Sequence, residues 1–346
     1  MDDALRRIGI RRLPGIIRHI IVGKRIAAKP GIVIRLAFQA PASVESVTHG
    51  KVNMPEDIRN RPSINHTDVT ALNFVRSSTP YVLRRHFRQG LRSHIMEILN
   101  PSDLEIERSG TMIDGIKWFP KAVPRRMFRI FRSRLKTLDN ALTEIGRVKI
   151  VERYLAPDFI ATSTECIVDY RGPEGWDLIL CGFQEYVEGE IIDPWTILDA
   201  ADLMPALYNT FRPAKKAIFP SKDEWVQAVR QNSARFICRI KKMITETGHI
   251  PDLAGAGNLI ITGNGGVKLV DINNISRIAF DSTINLDEKG YPVCDKSVEA
   301  LALIEKKILG RPVDMDEEIY KRFLNPDRRD AVKTKEALFW KMMASD

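Results

Sequence analysis

Hydrophobic positions recur along the chain at two spacings, and each change of spacing marks an element. Leu104 to Arg108 alternates apolar and polar, residues 109–115 offer turn chemistry, and Ile116 to Phe119 resumes as a strand. That stretch predicts an antiparallel pair. From Pro124 the period lengthens: Met127, Phe131, Leu135, Leu138, Leu142, Ile145, Val148 and Leu155 fall on one face of a single long helix. After Pro157 two strands, Phe159 to Val168 and Trp176 to Phe183, flank turn residues 171–175. The order over residues 104–183 is therefore strand, strand, helix, strand, strand. The remainder reads as mainly helical, with helices over about 222–247 and 296–309. One hairpin interrupts it: Leu259 to Thr262 and Val267 to Val270 are apolar runs, joined by Gly263-Asn264-Gly265-Gly266, residues that tolerate φ > 0.

Upstream of residue 104 the pattern is weaker. Residues 1–25 interleave Arg6, Arg7, Arg11, Arg12, Arg18, Lys24 and Arg25 with Ile and Leu, a basic amphipathic segment that Pro14 and Gly15 should break in two. Such a segment can pack on its own domain or dock on an anionic membrane surface. Residues 40–80, with Pro41, Pro55, Pro62 and Pro80, read as a long connection.

Composition narrows the class. With 346 residues, 44% of them hydrophobic, the chain can bury roughly three quarters of its unfolded surface, which excludes disorder and small disulfide scaffolds. The net charge of +9 is uneven. Residues 1–150 hold 28 Lys and Arg against 13 Asp and Glu, and the remainder holds 25 against 31. The basic part lacks aromatic interleaving, which argues against nucleic acid. Cys166, Cys181, Cys238 and Cys294 are widely spaced, as for buried free thiols in a reducing compartment. No apolar stretch approaches the ~20 residues of a membrane span, and residues 1–25 lack the pattern of a signal peptide. The expectation is a cytoplasmic protein, peripheral at the inner membrane surface if the basic segment docks there.

The hairpin carries the chemistry. Asn258 precedes its first strand and Asp271 follows its second, so antiparallel pairing brings them together at the open end, with Cα atoms about 5 Å apart. An amide oxygen and a carboxylate converging in this way suit a hard cation such as Mg²⁺ bound together with phosphate and water. Asp252, six positions before Asn258 on a Gly-rich loop, can reach the same opening as a base.

In this order of residues the chain resembles the protein-kinase-like superfamily, closest in style to the antibiotic (aminoglycoside) phosphotransferases and related small-molecule and glycan kinases. Asp252, Asn258, the two apolar strands and Asp271 repeat that superfamily's catalytic loop and metal-binding strand pair. Leu178 to Gly189 resembles the strand and hinge between the two lobes, which implies that the Glu185 carbonyl and the Val187 amide bind the adenine edge of ATP. Ile116-Lys117-Trp118-Phe119-Pro120 resembles the strand whose Lys meets the ATP phosphates, with Lys121 as nearest rival. The long helix then offers it a carboxylate, Glu144 or Glu152, with Glu144 favoured by its distance to the next strand.

The resemblance implies a bilobal α+β fold: a basic extension over residues 1–84, a small antiparallel-sheet lobe with one long helix over 85–185, and a mainly helical large lobe over 186–346. It implies ATP and Mg²⁺ as cofactors and phosphoryl transfer as the activity. His249-Ile250-Pro251-Asp252 departs from the family's His-Arg-Asp, Ile272-Asn273 from its Phe-Gly, and no GxGxxG precedes Lys117. The short stretch from Asp271 to Asp295 leaves little room for a peptide-docking loop, so the expected acceptor is a hydroxyl of a small molecule, lipid or glycan. The same departures motivate an alternative, a pseudokinase that binds nucleotide without turnover. The basic first part motivates another, an adaptor for anionic surfaces.

Overall fold

The computed structural model describes residues 34–36, 56–76, 80–87, 90, 92–211 and 221–344. The basic segment of residues 1–25 lies outside them. The fold is α+β, with sheets that are antiparallel but for one parallel edge pairing and one parallel bridge. In chain order the elements are β1 (Ile34–Leu36), α1 (His66–Thr70), β2 (Val82–Arg85), β3 (Ser93–Leu99), α2 (Pro101–Ser109), β4 (Thr111–Ile113), β5 (Ile116–Trp118), β6 (Arg126–Phe131) and α3 (Leu138–Leu155). There follow β7 (Ser163–Gly172), β8 (Gly175–Gln184), β9 (Glu190–Ile192), α4 (Ala200–Phe211), α5 (Lys222–Thr247), β10 (His249–Pro251), β11 (Leu259–Ile261), β12 (Val267–Leu269), β13 (Ile275–Arg277), α6 (Val293–Leu309), α7 (Glu318–Phe323) and α8 (Pro326–Met343). The chain divides into two compact units: residues 1–145 with 162–186, and residues 146–161 with 187–346.

The first unit is built on a six-stranded sheet in the order β1-β7-β8-β6-β3-β2. The strands β7 and β8 form a hairpin in register from Ser163 opposite Gln184 to Gly172 opposite Gly175. On one face Phe128, Ile130, Val168, Ile179 and Cys181 are covered by Ile58, Ile64, Val69, Leu72 and Phe74. On the other face Phe131, Ile167 and Leu180 meet Ala141 and Ile145 of α3. Residues 56–76 are therefore part of a core, where the proline-rich sequence suggests a connection. Polar anchors hold them there, including His94, which bonds the Ile58 carbonyl at 2.9 Å, and Asn73, which donates to the Asp169 carbonyl at 2.9 Å.

Two predicted elements change type. Leu104 to Arg108 lies in a helix, α2, because Asn100-Pro101 with Asp103 in the first turn is a helix start and five alternating residues are too few to outweigh it. The helix predicted from Pro124 begins at Leu138 instead, and Arg126–Phe131 is a strand paired with both β3 and β8. Met127 and Phe131 fit a step of four, yet Phe128 and Ile130 between them are also buried, and a short run buried on both faces suits a central strand. The hairpin β4–β5 is a two-stranded sheet of its own.

The second unit encloses one large core. The helix α5 contributes Trp225, Val229, Phe236, Ile240 and Met243, and α6 contributes Val298, Leu301 and Ile304. Ser221 caps α5 by accepting from the Glu224 amide at 3.2 Å, and Gly248 closes it in the left-handed region at φ 65°. Beyond Gly248, β10 pairs with β13 and β11 pairs with both β12 and β9, two small sheets that present the loops described next. Among the described residues no helix is long and apolar enough to cross a membrane.

Candidate functional site

Two short pairings converge the polar residues of the second unit. The pair β10–β13 sets Pro251 opposite Ile275, so Asp252 leaves one strand where Asn274 enters the other. The pair β11–β12 sets Leu259 opposite Leu269, and the Val270 amide donates to the Asn258 carbonyl at 2.8 Å. Asn258 therefore faces Val270, and Asp271 stands one residue further on than the sequence suggests. The tight turn at Thr262 to Gly266 fixes this register, with the Thr262 amide on the Gly266 carbonyl and Gly265 at φ 72°.

Within the loop of residues 252–258, Asp252 acts as an anchor. Its Oδ1 accepts the amides of Ala254 and Gly255 at 2.9 and 3.1 Å, and its Oδ2 lies 3.4 Å from the Asn274 carboxamide nitrogen. Asn258 is buried and its Nδ2 donates to the Asp252 carbonyl at 2.9 Å, which leaves its Oδ1 as the free acceptor. Asp271 Oδ1 accepts the Asn273 amide at 3.0 Å. Gly255 is required by this packing, since a Cβ there would stand 2.5 Å from Asn258 Nδ2 and 2.8 Å from its Oδ1. The loop is held from outside by Ser297, whose Oγ accepts the Leu253 amide at 3.1 Å, and by Trp195, whose Nε1 donates to the Ala254 carbonyl at 2.8 Å. Lys296 lies 4.1 Å above the Trp195 ring and pairs with Glu299 and Glu336.

Burial, and then the neighbouring Asp271 carboxylate, push the Asp252 carboxyl from 3.8 up to about 6, against the lowering by its amide donors. The other carboxyls that depart from their ordinary range do so downward: Asp57, Glu97, Glu107, Asp281 and Glu305. Those groups have arginine, lysine or backbone donors close by, whereas no ion pair reaches Asp252 or Asp271 among the described residues. Two carboxylates without a counter-charge, beside a free amide oxygen, form an oxygen-only donor set that fits a hard divalent cation. No group of three His, Cys, Asp or Glu side chains suited to a metal occurs among the described residues, so such a cation would lean on Asn258 Oδ1, phosphate and water.

The remaining expected residues are placed as follows. Lys117 lies on β5, exposed, with its Nζ 5.4 Å from the Phe119 ring centre. It is outside the six-stranded sheet, and the strand that leads into α3 is β6. The buried cation on that strand is Arg129, on the face that α3 covers. Its Nη2 is 3.6 Å from Glu165 on β7, two strands away, and the two meet across Gly182, which is in register with both. A glycine on the intervening strand leaves the space the guanidinium occupies, with Nη2 3.5 Å from where a Cβ would stand. Sequence reasoning missed Arg129 because it read β6 as helix; the run Arg126-Met-Phe-Arg-Ile-Phe131 held the signal. Glu144 is half-buried in the first unit's part of α3, and Glu152, in the second unit's part, pairs with Lys149 at 2.8 Å. Residues 185–188 carry no helix or strand, and the Glu185 carboxylate accepts from the Thr162 amide and hydroxyl at 3.1 and 3.0 Å. The first unit ends at Tyr186 and the second resumes at Val187.

No protein-family model matches the chain, and no curated protein does.

Proposed function

We propose that the chain is an ATP- and Mg²⁺-dependent phosphotransferase that acts on a hydroxyl of a small molecule, lipid or glycan. The observation that carries this reading is the pair of carboxylates Asp252 and Asp271 near Asn258, which no ion pair reaches among the described residues. Asn258 and Asp271 would hold Mg²⁺, which supplies charge neutralisation to the phosphates when bound. Asp252 orients the acceptor hydroxyl and takes its proton. With its carboxyl near 6 it is ionised at neutral pH yet basic enough to accept a proton there. Its Oδ1 is committed to two backbone amides, so Oδ2 is the oxygen that serves the acceptor. Trp195 and Ser297 keep the loop from shifting, as positioning catalysis requires. Lys117, exposed on β5 of the first unit, is given no part in this chemistry.

The test is a thermal-shift and ADP-release assay of the full chain with ATP, with and without Mg²⁺. A Mg²⁺-dependent rise in midpoint together with ADP release is expected, both lost in Asp271→Ala. A nucleotide-dependent shift without ADP release would leave the pseudokinase reading, and no shift at all would refute both.

A further inference from the structure

The hairpin β4–β5 is exposed on both faces, and four of its six strand side chains are apolar. Met112, Ile113, Ile116, Trp118 and Phe119 are each more than half exposed, as is Phe87, which meets Lys121 at 5.5 Å. Scattered exposed apolar residues need no explanation, but six gathered on and beside one projecting hairpin do. Their order along the hairpin is informative. Ile113 pairs with Ile116 next to the turn, Met112 with Lys117, and Thr111 with Trp118. Aliphatic groups thus occupy the tip, and about 7 Å behind it come an aromatic ring and lysines. Lys117 and Lys121 sit against the Phe119 and Phe87 rings, and Arg125 and Arg126 follow, also exposed. Asp114, at the turn with φ 50°, is the one carboxylate in residues 111–126.

We propose that this hairpin is a docking device for an anionic lipid surface, with Ile113 and Ile116 entering the acyl boundary and Trp118, Phe119, Lys117 and Lys121 lying at the headgroups. A flat protein partner covers one face of a ribbon, whereas a lipid interface covers both at once. Layering from aliphatic through aromatic to cationic matches the polarity gradient over the 5–10 Å that interfacial segments reach, a general estimate of roughly that depth. Nucleic acid would use the rings and cations but has no use for an isoleucine tip. The inference is independent of the nucleotide reading, since none of these residues belongs to the Asp252 loop.

The experiment is flotation of the full chain with phosphatidylserine-containing vesicles and with phosphatidylcholine vesicles, across a salt series. Binding to the anionic vesicles that falls with salt is expected. Lys117→Gln and Lys121→Gln should each weaken it about five-fold, from about 1 kcal/mol per cation near the surface. Ile113→Ser with Ile116→Ser should abolish it, while Asp114→Asn, which removes the carboxylate at the hairpin's turn and suits its left-handed conformation, should strengthen it. An unchanged thermal midpoint in these variants shows that the fold is intact. Binding that survives the paired serine substitutions, or equal binding to both vesicle types, overturns the proposal. So does vesicle-independent self-association or polynucleotide binding that the same substitutions remove.

Discussion

Replacing Asp252 with Asn removes one of the two carboxylates that no ion pair reaches among the described residues, and leaves an oxygen for the Ala254 and Gly255 amides. A carboxyl moved from 3.8 to about 6 on folding binds more protons in the native state than in the unfolded one across that window. Stability therefore falls as pH rises through it, and the full penalty stands above about pH 6. Through 2.303RT the shift amounts to about 3 kcal/mol at pH 7.5 and about half that at pH 5. The neutral amide accepts its two hydrogen bonds more weakly, which offsets about 1 kcal/mol. Asp252→Asn should thus stabilise the protein by about 2 kcal/mol at pH 7.5 and by less than about 1 kcal/mol at pH 5, while abolishing phosphoryl transfer. Urea titrations at the two pH values, read from hydrogen exchange of buried α5 amides in the same unit, measure the difference. A variant less stable than wild type at pH 7.5, or a gain that grows on acidification, would refute the reasoning.

Three further outcomes follow from named contacts. Gly255→Ala drives a methyl into the Asn258 carboxamide, and the expected result is a loss of about 1–3 kcal/mol with a weakened Mg²⁺-dependent thermal shift. Gly182→Leu fills the space through which Arg129 reaches Glu165 and should destabilise by about 3–5 kcal/mol, seen as a lowered urea midpoint, whereas Gly182→Ala, whose Cβ makes ordinary contacts, should change little. Buried Glu305, paired with Lys241 and Arg311 and bonded by Tyr320, has its carboxyl held below the usual range. Its contribution is present above pH ~4.5 and lost as pH falls through the folded value, so Glu305→Gln should lower the thermal midpoint at neutral pH and converge with wild type in acid.

Local chemistry was the readable part of the sequence. The β11–β12 hairpin was legible because Gly265 and its neighbours dictate a tight turn, and the turn dictates the register that brings Asn258 near Asp271. The helix α5 was legible from Ser221 to Gly248 because both caps are spelled out and the apolar face is long. What escaped depends on partners distant in sequence. Arg129 reads as a surface arginine until Glu165 and Gly182 are brought beside it by two other strands. Residues 56–76 read as a connection because their apolar residues follow neither period; their burial is set by the sheet face they cover. Asn274 joined the Asp252 loop only through the β10–β13 pairing, which three residues on each side do not announce.

Among the described residues, charges inside the fold are arranged in two different ways. Arg129 with Glu165 and Glu305 with Lys241 and Arg311 are balanced: each has an opposite charge within reach, and removing the basic partner leaves a buried carboxylate without it. Such groups fix packing and give a substrate no reason to bind. Asp252 and Asp271 repel each other and are held together by backbone amides, a turn and a packed tryptophan, interactions that resist separation without neutralising it. A fold gains no stability from holding two like charges in this way, and on the proposed reading the arrangement serves a ligand of opposite sign. If Mg²⁺ binds as proposed, it should raise the wild-type midpoint and raise it much less in Asp252→Asn, where one of the two charges, and with it their mutual repulsion, is already gone.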